Sequence, residues 1–277
     1  MDNKFINEND FINNFNFSKK LGQNFLINNT IKERIIKTIR SFVLVDDFIL
    51  EIGPGIGAIT KKIINTNHVI AIELDEELVN HLNNLHLDNF KVVYGDCLKL
   101  NLNDYLKNVK LIFSNTPYAI TTQMIQKFIE EWNCNQALFL MQKEVATRIC
   151  AKINDKKYAA FSIYCQTFLD MKDLFDVSNN AFFPQPKFTS SLIYLFKKNK
   201  EIELNKKAYG TFLNKCFLNR RKTLFNNLKQ FCNIDIINLI FKYLDLDITS
   251  TIRAQELNYE QFINIFKIYE NNNESIL

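Results

Sequence analysis

The sequence predicts an α/β fold: a doubly wound, largely parallel sheet followed by a small all-helical region. Three observations carry this. Short apolar strand-like runs alternate with helical stretches from residue 48 to residue 141. The first of them, Phe48-Ile49-Leu50-Glu51-Ile52, runs straight into Gly53-Pro54-Gly55-Ile56-Gly57, a glycine loop that lets backbone approach a ligand between a strand end and a helix. Beyond about residue 200 strand signals stop and only helical spacing remains.

The elements follow in order. Residues 1–17 are polar and Asn-rich and are expected to form a flexible tail; they lack the apolar core and small-residue cleavage site of a secretory signal. Residues 30–41 place Ile31, Ile35, Ile36 and Ile39 on one helical face behind Thr30 as a cap. After the glycine loop, residues 58–65 read as a helix and 68–74 as a second strand. Strands recur at 91–94, 110–113 and 136–141. The run 190–196 closes this region, with 160–168 expected to be its antiparallel hairpin partner. A boundary near residue 200 then divides the chain into domains 18–200 and 201–277. The second domain carries helices over 208–219, 221–231, 234–243 and 259–269.

Composition narrows the function classes. With 277 residues, 47% hydrophobic content, 6 Gly and 4 Pro, the chain can bury a large core. No apolar run approaches the ~20 residues that span a bilayer. The 6 cysteines, at positions 97, 134, 150, 165, 216 and 232, form no C-x-x-C pair and have no histidine cluster beside them. They read as reduced core thiols of a monomeric cytoplasmic protein without a metal site. Charge is clustered: residues 197–229 hold 10 Lys or Arg against Glu201 and Glu203, whereas acids prevail from 230 onward. Residues 19–40 hold 6 cations against Glu33. Such clustering fits a polyanionic partner, and equally a lysine-rich solvated surface.

Asn115-Thr116-Pro117-Tyr118 follows the apolar run Leu111-Ile112-Phe113 and carries the most specific chemistry. An exocyclic amine conjugated to a ring is a poor nucleophile, improved when acceptors hold its N–H groups. Asn115 offers a side-chain oxygen, and Pro117 biases Thr116 toward extended backbone that can aim a main-chain carbonyl at the amine. Tyr118 offers a ring to stack on the amine's own ring. Taken alone, the tetrapeptide also reads as a plain turn. The glycine loop is ambiguous too: Gly53, Gly55 and Ala58 fit the dinucleotide fingerprint, with Glu73 where an acid would bind ribose hydroxyls, so an NAD oxidoreductase is an alternative. Against it stands the rest of the series, namely Glu51 before the loop, Gly95-Asp96 after the third strand and the Asn115 tetrapeptide after the fourth.

This ordered set resembles the S-adenosylmethionine-dependent methyltransferases that act on adenine N6. Lys20-Leu21-Gly22-Gln23-Asn24-Phe25-Leu26, Met141-Gln142-Lys143-Glu144-Val145-Ala146 and Phe182-Phe183-Pro184-Gln185-Pro186-Lys187-Phe188-Thr189-Ser190 bring it closer, resembling segments of the rRNA adenine dimethyltransferase family over about residues 18–265. Residues 217–228, with Arg220-Arg221-Lys222, and the later Arg253-Ala254-Gln255-Glu256-Leu257 resemble the bacterial KsgA-type, small-subunit branch.

The resemblance implies a Rossmann-like class I methyltransferase fold with a helical C-terminal domain that binds RNA. It implies S-adenosyl-L-methionine as cofactor, held by Asn24, Leu26, Gly53, Gly55, Glu73, Asp96 and Asn115. Asn115 and the backbone near Pro117 would grip the target N6, and Tyr118 with Phe182 would sandwich the flipped base. Arg220, Arg221 and Lys222 would bind RNA. The implied reaction is dimethylation of two adjacent adenosines in the 3′-end hairpin of 16S rRNA within the small ribosomal subunit, with no metal. Two alternatives stay open: a 23S rRNA methyltransferase of the resistance type and a non-catalytic nucleic-acid-binding relative. The chain departs from the family's usual residues at Thr116, Ala119, Gln123 and Phe188.

Overall fold

Strand and helix alternate along the chain because each apolar strand needs a covered face and each intervening segment supplies one. The computed structural model describes residues 11, 12, 15, 17, 22–198 and 202–273. Most of the expected tail, together with Lys20 and Leu21, lies outside the described residues. In chain order the elements are β1 (Phe25–Leu26), α1 (Asn29–Arg40), β2 (Phe48–Ile52), α2 (Thr60–Ile63), β3 (His68–Glu73), α3 (Glu76–Asn83), β4 (Phe90–Tyr94), α4 (Asn103–Leu106), β5 (Val109–Asn115) and α5 (Thr121–Glu130). There follow β6 (Gln136–Gln142), α6 (Lys143–Ile149), α7 (Ala160–Phe168), β7 (Leu169–Val177), β8 (Phe182–Phe183), β9 (Ser190–Lys197), α8 (Lys206–Cys216), α9 (Leu224–Leu228), α10 (Ile234–Tyr243) and α11 (Tyr259–Asn273).

Seven strands form one sheet in the order β4-β3-β2-β5-β6-β9-β7. The pairings β2–β3, β2–β5, β3–β4 and β5–β6 are parallel, whereas β6–β9 is antiparallel. Strand order reverses between β2 and β5, so the carboxyl ends of these two strands open a crevice where an α/β sheet binds its ligand. The central strands are mostly apolar because both faces are covered, with Glu51 in β2 and Ser114 in β5 as buried polar exceptions. Ile35, Ile36 and Ile39 of α1 join a buried cluster with Ile49, Leu111 and Leu138, and α5 buries Met124, Ile125, Phe128 and Ile129.

The chain groups into two compact units, Met1–Val145 with Lys172–Phe196, and Ala146–Met171 with Lys197–Leu277. The helical unit thus takes in residues 146–171 as well as the chain after 197, where a single boundary near 200 was expected. Its core is aromatic: Tyr209 and Phe266 meet edge-on at 5.2 Å, and the buried Tyr209 hydroxyl bonds Thr167 Oγ1 at 3.1 Å. No helix among the described residues is long and apolar enough to cross a membrane.

Three expectations are corrected. Residues 160–168 form helix α7, and the strand beside β9 is β7. Seven of the nine residues of α7 are buried, so its apolar residues carry no period that separates helix from buried strand. The true strand is masked by Asp170, Lys172, Asp173 and Asp176, charges that suit its position at the sheet edge. The expected helix over 221–231 shrinks to α9, because Thr223 caps it by accepting from Asn226 N at 3.2 Å and leaves Arg220-Arg221-Lys222 in the preceding turns. Asn28, not Thr30, caps α1.

The N-terminal stretch expected to be a tail is packed where it is described. Ile12 and Phe15 are each 6% exposed and cluster with Phe25, Ile56, Ala58 and Leu78. Phe15 and Phe17 lie 5.3 and 5.1 Å from the Phe25 ring, centroid to centroid. Phe15→Ala is expected to cost about 3 kcal/mol in urea unfolding, as for a buried phenylalanine; a solvated tail would leave the midpoint unchanged.

Candidate active site

A cavity of about 230 Å³ opens at the carboxyl ends of β2, β3 and β5, between the glycine loop and residues 22–26. Its lining includes Asn24, Leu26, Gly53, Gly55, Glu73, Asp96, Asn115, Pro117 and Tyr118, so these expected site residues are brought together. Gly53 adopts φ 69°, and a Cβ built on it would meet nothing within 4 Å, which leaves clear space at the loop for a ligand. Gly55 adopts φ 59°, and a Cβ there would press on the Phe25 ring at 3.2 Å.

The cavity's electrostatics are one-sided. Glu51, Glu73 and Asp96 line it, and among its described lining residues there is no Lys, Arg or His. The Glu73 carboxylate accepts from Leu74 N (2.8 Å) and Asp75 N (3.0 Å) on Oε1, and from Gly55 N (3.2 Å) on Oε2. These bonds fix its direction and leave acceptor capacity on Oε2. Burial raises its pKa above the ordinary carboxylate value, against the pull of those amides. Glu51, 2% exposed, is pushed up to about 7 by burial, opposed by a 2.6 Å bond from Thr60 Oγ1 and reinforced by nearby Glu73. Asp96 accepts from Leu98 N at 2.9 Å. Cys97 also lines the cavity, but burial drives its thiol to about 12, which removes it as a nucleophile. Among the described residues no group of His, Cys, Asp or Glu could hold a metal ion.

The tetrapeptide at the end of β5 is held by bonds that reach far along the chain. Asn115 Nδ2 donates to the Asn24 carbonyl at 3.0 Å, which turns its Oδ1 away from that contact. Asn24 Nδ2 in turn donates to Gly22 O at 3.0 Å. Thr116 N donates to Leu140 O at 2.9 Å and ties the turn to β6. The Tyr118 hydroxyl bonds Ser190 Oγ at 2.8 Å, and burial raises the tyrosine's pKa. Thr116 Oγ1 is buried with no hydrogen-bond partner.

Phe182 does not belong to the cavity. It is 3% exposed and packs in the core with Leu26, Ala181 and Val177. Consecutive strand residues face opposite ways, and in β8 it is Phe183, 44% exposed, whose ring is turned out against Phe17 at 5.5 Å. Arg220, Arg221 and Lys222 lie in the helical unit; the last two are exposed, whereas Arg220 is spent on hydrogen bonds to Gln255 and Asp155. Sequence reasoning assigned no role to Ser190 or to the hydroxyl of Thr116, and only the pairing with Tyr118 across 72 positions singles Ser190 out.

Two substitutions test these environments. In the unfolded chain Glu51 ionises near 4.5, and in the folded protein near 7, so the folded state holds an extra proton between those values. Stability is therefore lost as pH rises through that window, by on the order of 3 kcal/mol at full ionisation. Glu51→Gln keeps the acceptor for Thr60, and its stability relative to the parent protein should climb in urea titrations between about pH 5 and about pH 8. Thr116→Val removes the orphaned hydroxyl, and its unfolding free energy should equal or exceed the parent's by about 1 kcal/mol.

Residues 14–271 match the family of ribosomal RNA adenine dimethylases. A relative from Ureaplasma parvum serovar 3, named ribosomal RNA small subunit methyltransferase A, is 40% identical over 259 residues, or 90% of this chain and 92% of the relative. Among solved structures, a dimethyladenosine transferase from Plasmodium falciparum has a TM-score of 0.76 at 23% identity, covering 89% of this chain and 98% of that one. The 23S rRNA methyltransferase ErmE has a TM-score of 0.65 at 19% identity, over 89% and 100% of the two chains. These two likenesses show the Rossmann-like class I methyltransferase fold. The family match spans both compact units and displaces the dinucleotide reading of the glycine loop: the chain belongs to the ribosomal RNA adenine dimethylase family.

Proposed function

We infer that this chain is an S-adenosylmethionine-dependent enzyme that dimethylates N6 of two adjacent adenosines in the 3′-end hairpin of 16S rRNA, acting on the small ribosomal subunit as a cytoplasmic monomer. The observation that carries the reading is an Asn115 amide of fixed orientation at the wall of a cavity that Glu51, Glu73 and Asp96 line. Three acids around one cavity suit a ligand that carries positive charge. The name borne by the 40%-identical relative favours the small subunit over the large.

When bound, the cofactor supplies an electrophilic methyl group on a sulfonium. Gly53 would leave room for it, Gly55 would flank it, Glu73 and Asp96 would supply acceptors for its ribose and adenine, and Asn24 and Leu26 would line the cavity beside it. Asn115 Oδ1 and the Thr116 carbonyl would accept from the target N–H groups, leaving the amine's lone pair free to attack the methyl. Transfer of that methyl would exchange the cofactor's C–S bond for an N–C bond, and the proton of the methylated amine would pass to solvent. Rate enhancement comes from positioning, which can contribute roughly 7–11 kcal/mol. Tyr118 stacks on the flipped adenine, with its tilt set by Ser190. Ala119 leaves space for an amine that already carries one methyl. Arg221 and Lys222 contact RNA phosphates.

Asn115→Ala should lower kcat for methyl transfer to unmodified small subunits by about 100-fold or more, the scale of losing one charge-stabilising polar group. Its affinity for S-adenosylhomocysteine, read by calorimetry, should change far less; an unchanged kcat would refute the role. Tyr118→Phe and Ser190→Ala each delete the same bond and should each cost about 5-fold, or ~1 kcal/mol. The double variant should be no worse than either single one, whereas additive losses would separate the two residues.

A further inference from the structure

Arg220 is the junction of three stretches of the helical unit that are distant in sequence. Its Nε donates to Gln255 Oε1 and its Nη2 to the Asp155 carbonyl, each at 2.8 Å. Asn154 N donates to Gln255 O at 3.1 Å, and Tyr158 Oη donates to Leu257 O at 3.0 Å. The loop 152–157 is thereby fastened to the turn that carries Arg221 and Lys222. That loop presents Lys152, Lys156 and Lys157, all exposed, with Ile153 41% exposed among them and Asp155 as its acid. None of the three lysines has an ion-pair partner among the described residues, unlike Lys62 with Glu33 or Lys127 with Glu131. An unpaired cation in water costs nothing to keep, but three of them on a loop bracketed by an arginine form a fixed site for a polyanion.

We propose that loop 152–157 is a second phosphate-binding element for the rRNA substrate, and that Arg220 is a positioning residue that sets this loop and makes no RNA contact of its own. The proposal rests on the RNA-methylating reading above. In that arrangement the lysines grip backbone phosphates, and the exposed Ile153 packs on a sugar or base edge. The element fixes the register of the RNA without reading its sequence.

The test uses the full chain and unmodified small ribosomal subunits, with retention on filters measured across a series of KCl concentrations. Replacing Lys152, Lys156 and Lys157 together by Ala should weaken binding by 10-fold or more and flatten the log–log salt slope by on the order of 2, as expected when phosphate contacts are lost. S-adenosylhomocysteine affinity serves as the check on folding and should be unchanged. Arg220→Lys keeps the charge but cannot span both acceptors, and it should reproduce much of the triple variant's loss while adding little to it; Arg221→Gln should add its own loss. Wild-type affinity and slope in the triple variant would overturn the phosphate site, and full binding by Arg220→Lys would overturn the positioning role. Failure of the unaltered protein to methylate the subunits would instead count against the proposed function.

Discussion

An amide held in one orientation sets the geometry of the cavity wall at the end of β5. Asn115 Nδ2 is committed to the Asn24 carbonyl, so its oxygen is the group left for a ligand. That one bond joins the end of β5 to the segment before α1, two regions 91 positions apart, and closes the cavity around the glycine loop. The neighbouring ties act in the same direction: Thr116 N is anchored to β6 and Tyr118 to the first residue of β9. Each removes a rotation that would otherwise have to be frozen when substrate arrives, which is how a positioning enzyme keeps its barrier low.

The acids of the cavity are costly to the empty fold and useful to a cationic ligand for the same reason. Burial raises the pKa of both Glu51 and Glu73, and a positive group in the cavity would favour their ionised forms. Thr60, Gly55, Leu74 and Asp75 offset part of that cost by hydrogen bonding to the carboxylates. Strain of this kind at a binding site is expected where function and stability compete.

The parallel half of the sheet was legible because its strands are buried on both faces and punctuated by glycine; β2 and the loop after it coincide with the expected bounds, as does α10, started by Asn233 as cap. What stayed illegible depends on contacts between distant residues. Nothing local tells that residues 160–168 coil, since a helix buried nearly all round shows no amphipathic period. Of two adjacent phenylalanines, register against β1 decides that Phe182 opposes Leu26 and faces the core while Phe183 faces out. The Arg220 bracket is likewise invisible, because its acceptors lie 35 and 65 positions away. Residues whose part is played by the cavity wall were readable as motifs; residues that aim them were not.

The placement of β9 has a consequence for how the protein is made. β6 is flanked by β5 on one side and by the late strand β9 on the other. While the chain emerges from its own ribosome, the parallel strands β2 to β6 can assemble before residue 190 exists. β6 is then an open edge bearing Leu138, Phe139, Leu140 and Met141, all of them 0% exposed in the finished fold. Such an edge is a template for pairing with another chain until β9 covers it. The same event delivers Ser190 to Tyr118. Capping the sticky edge and bringing Ser190 to Tyr118 are therefore one step in biosynthesis, and a nascent chain that still carries the hazard does not yet have that bond.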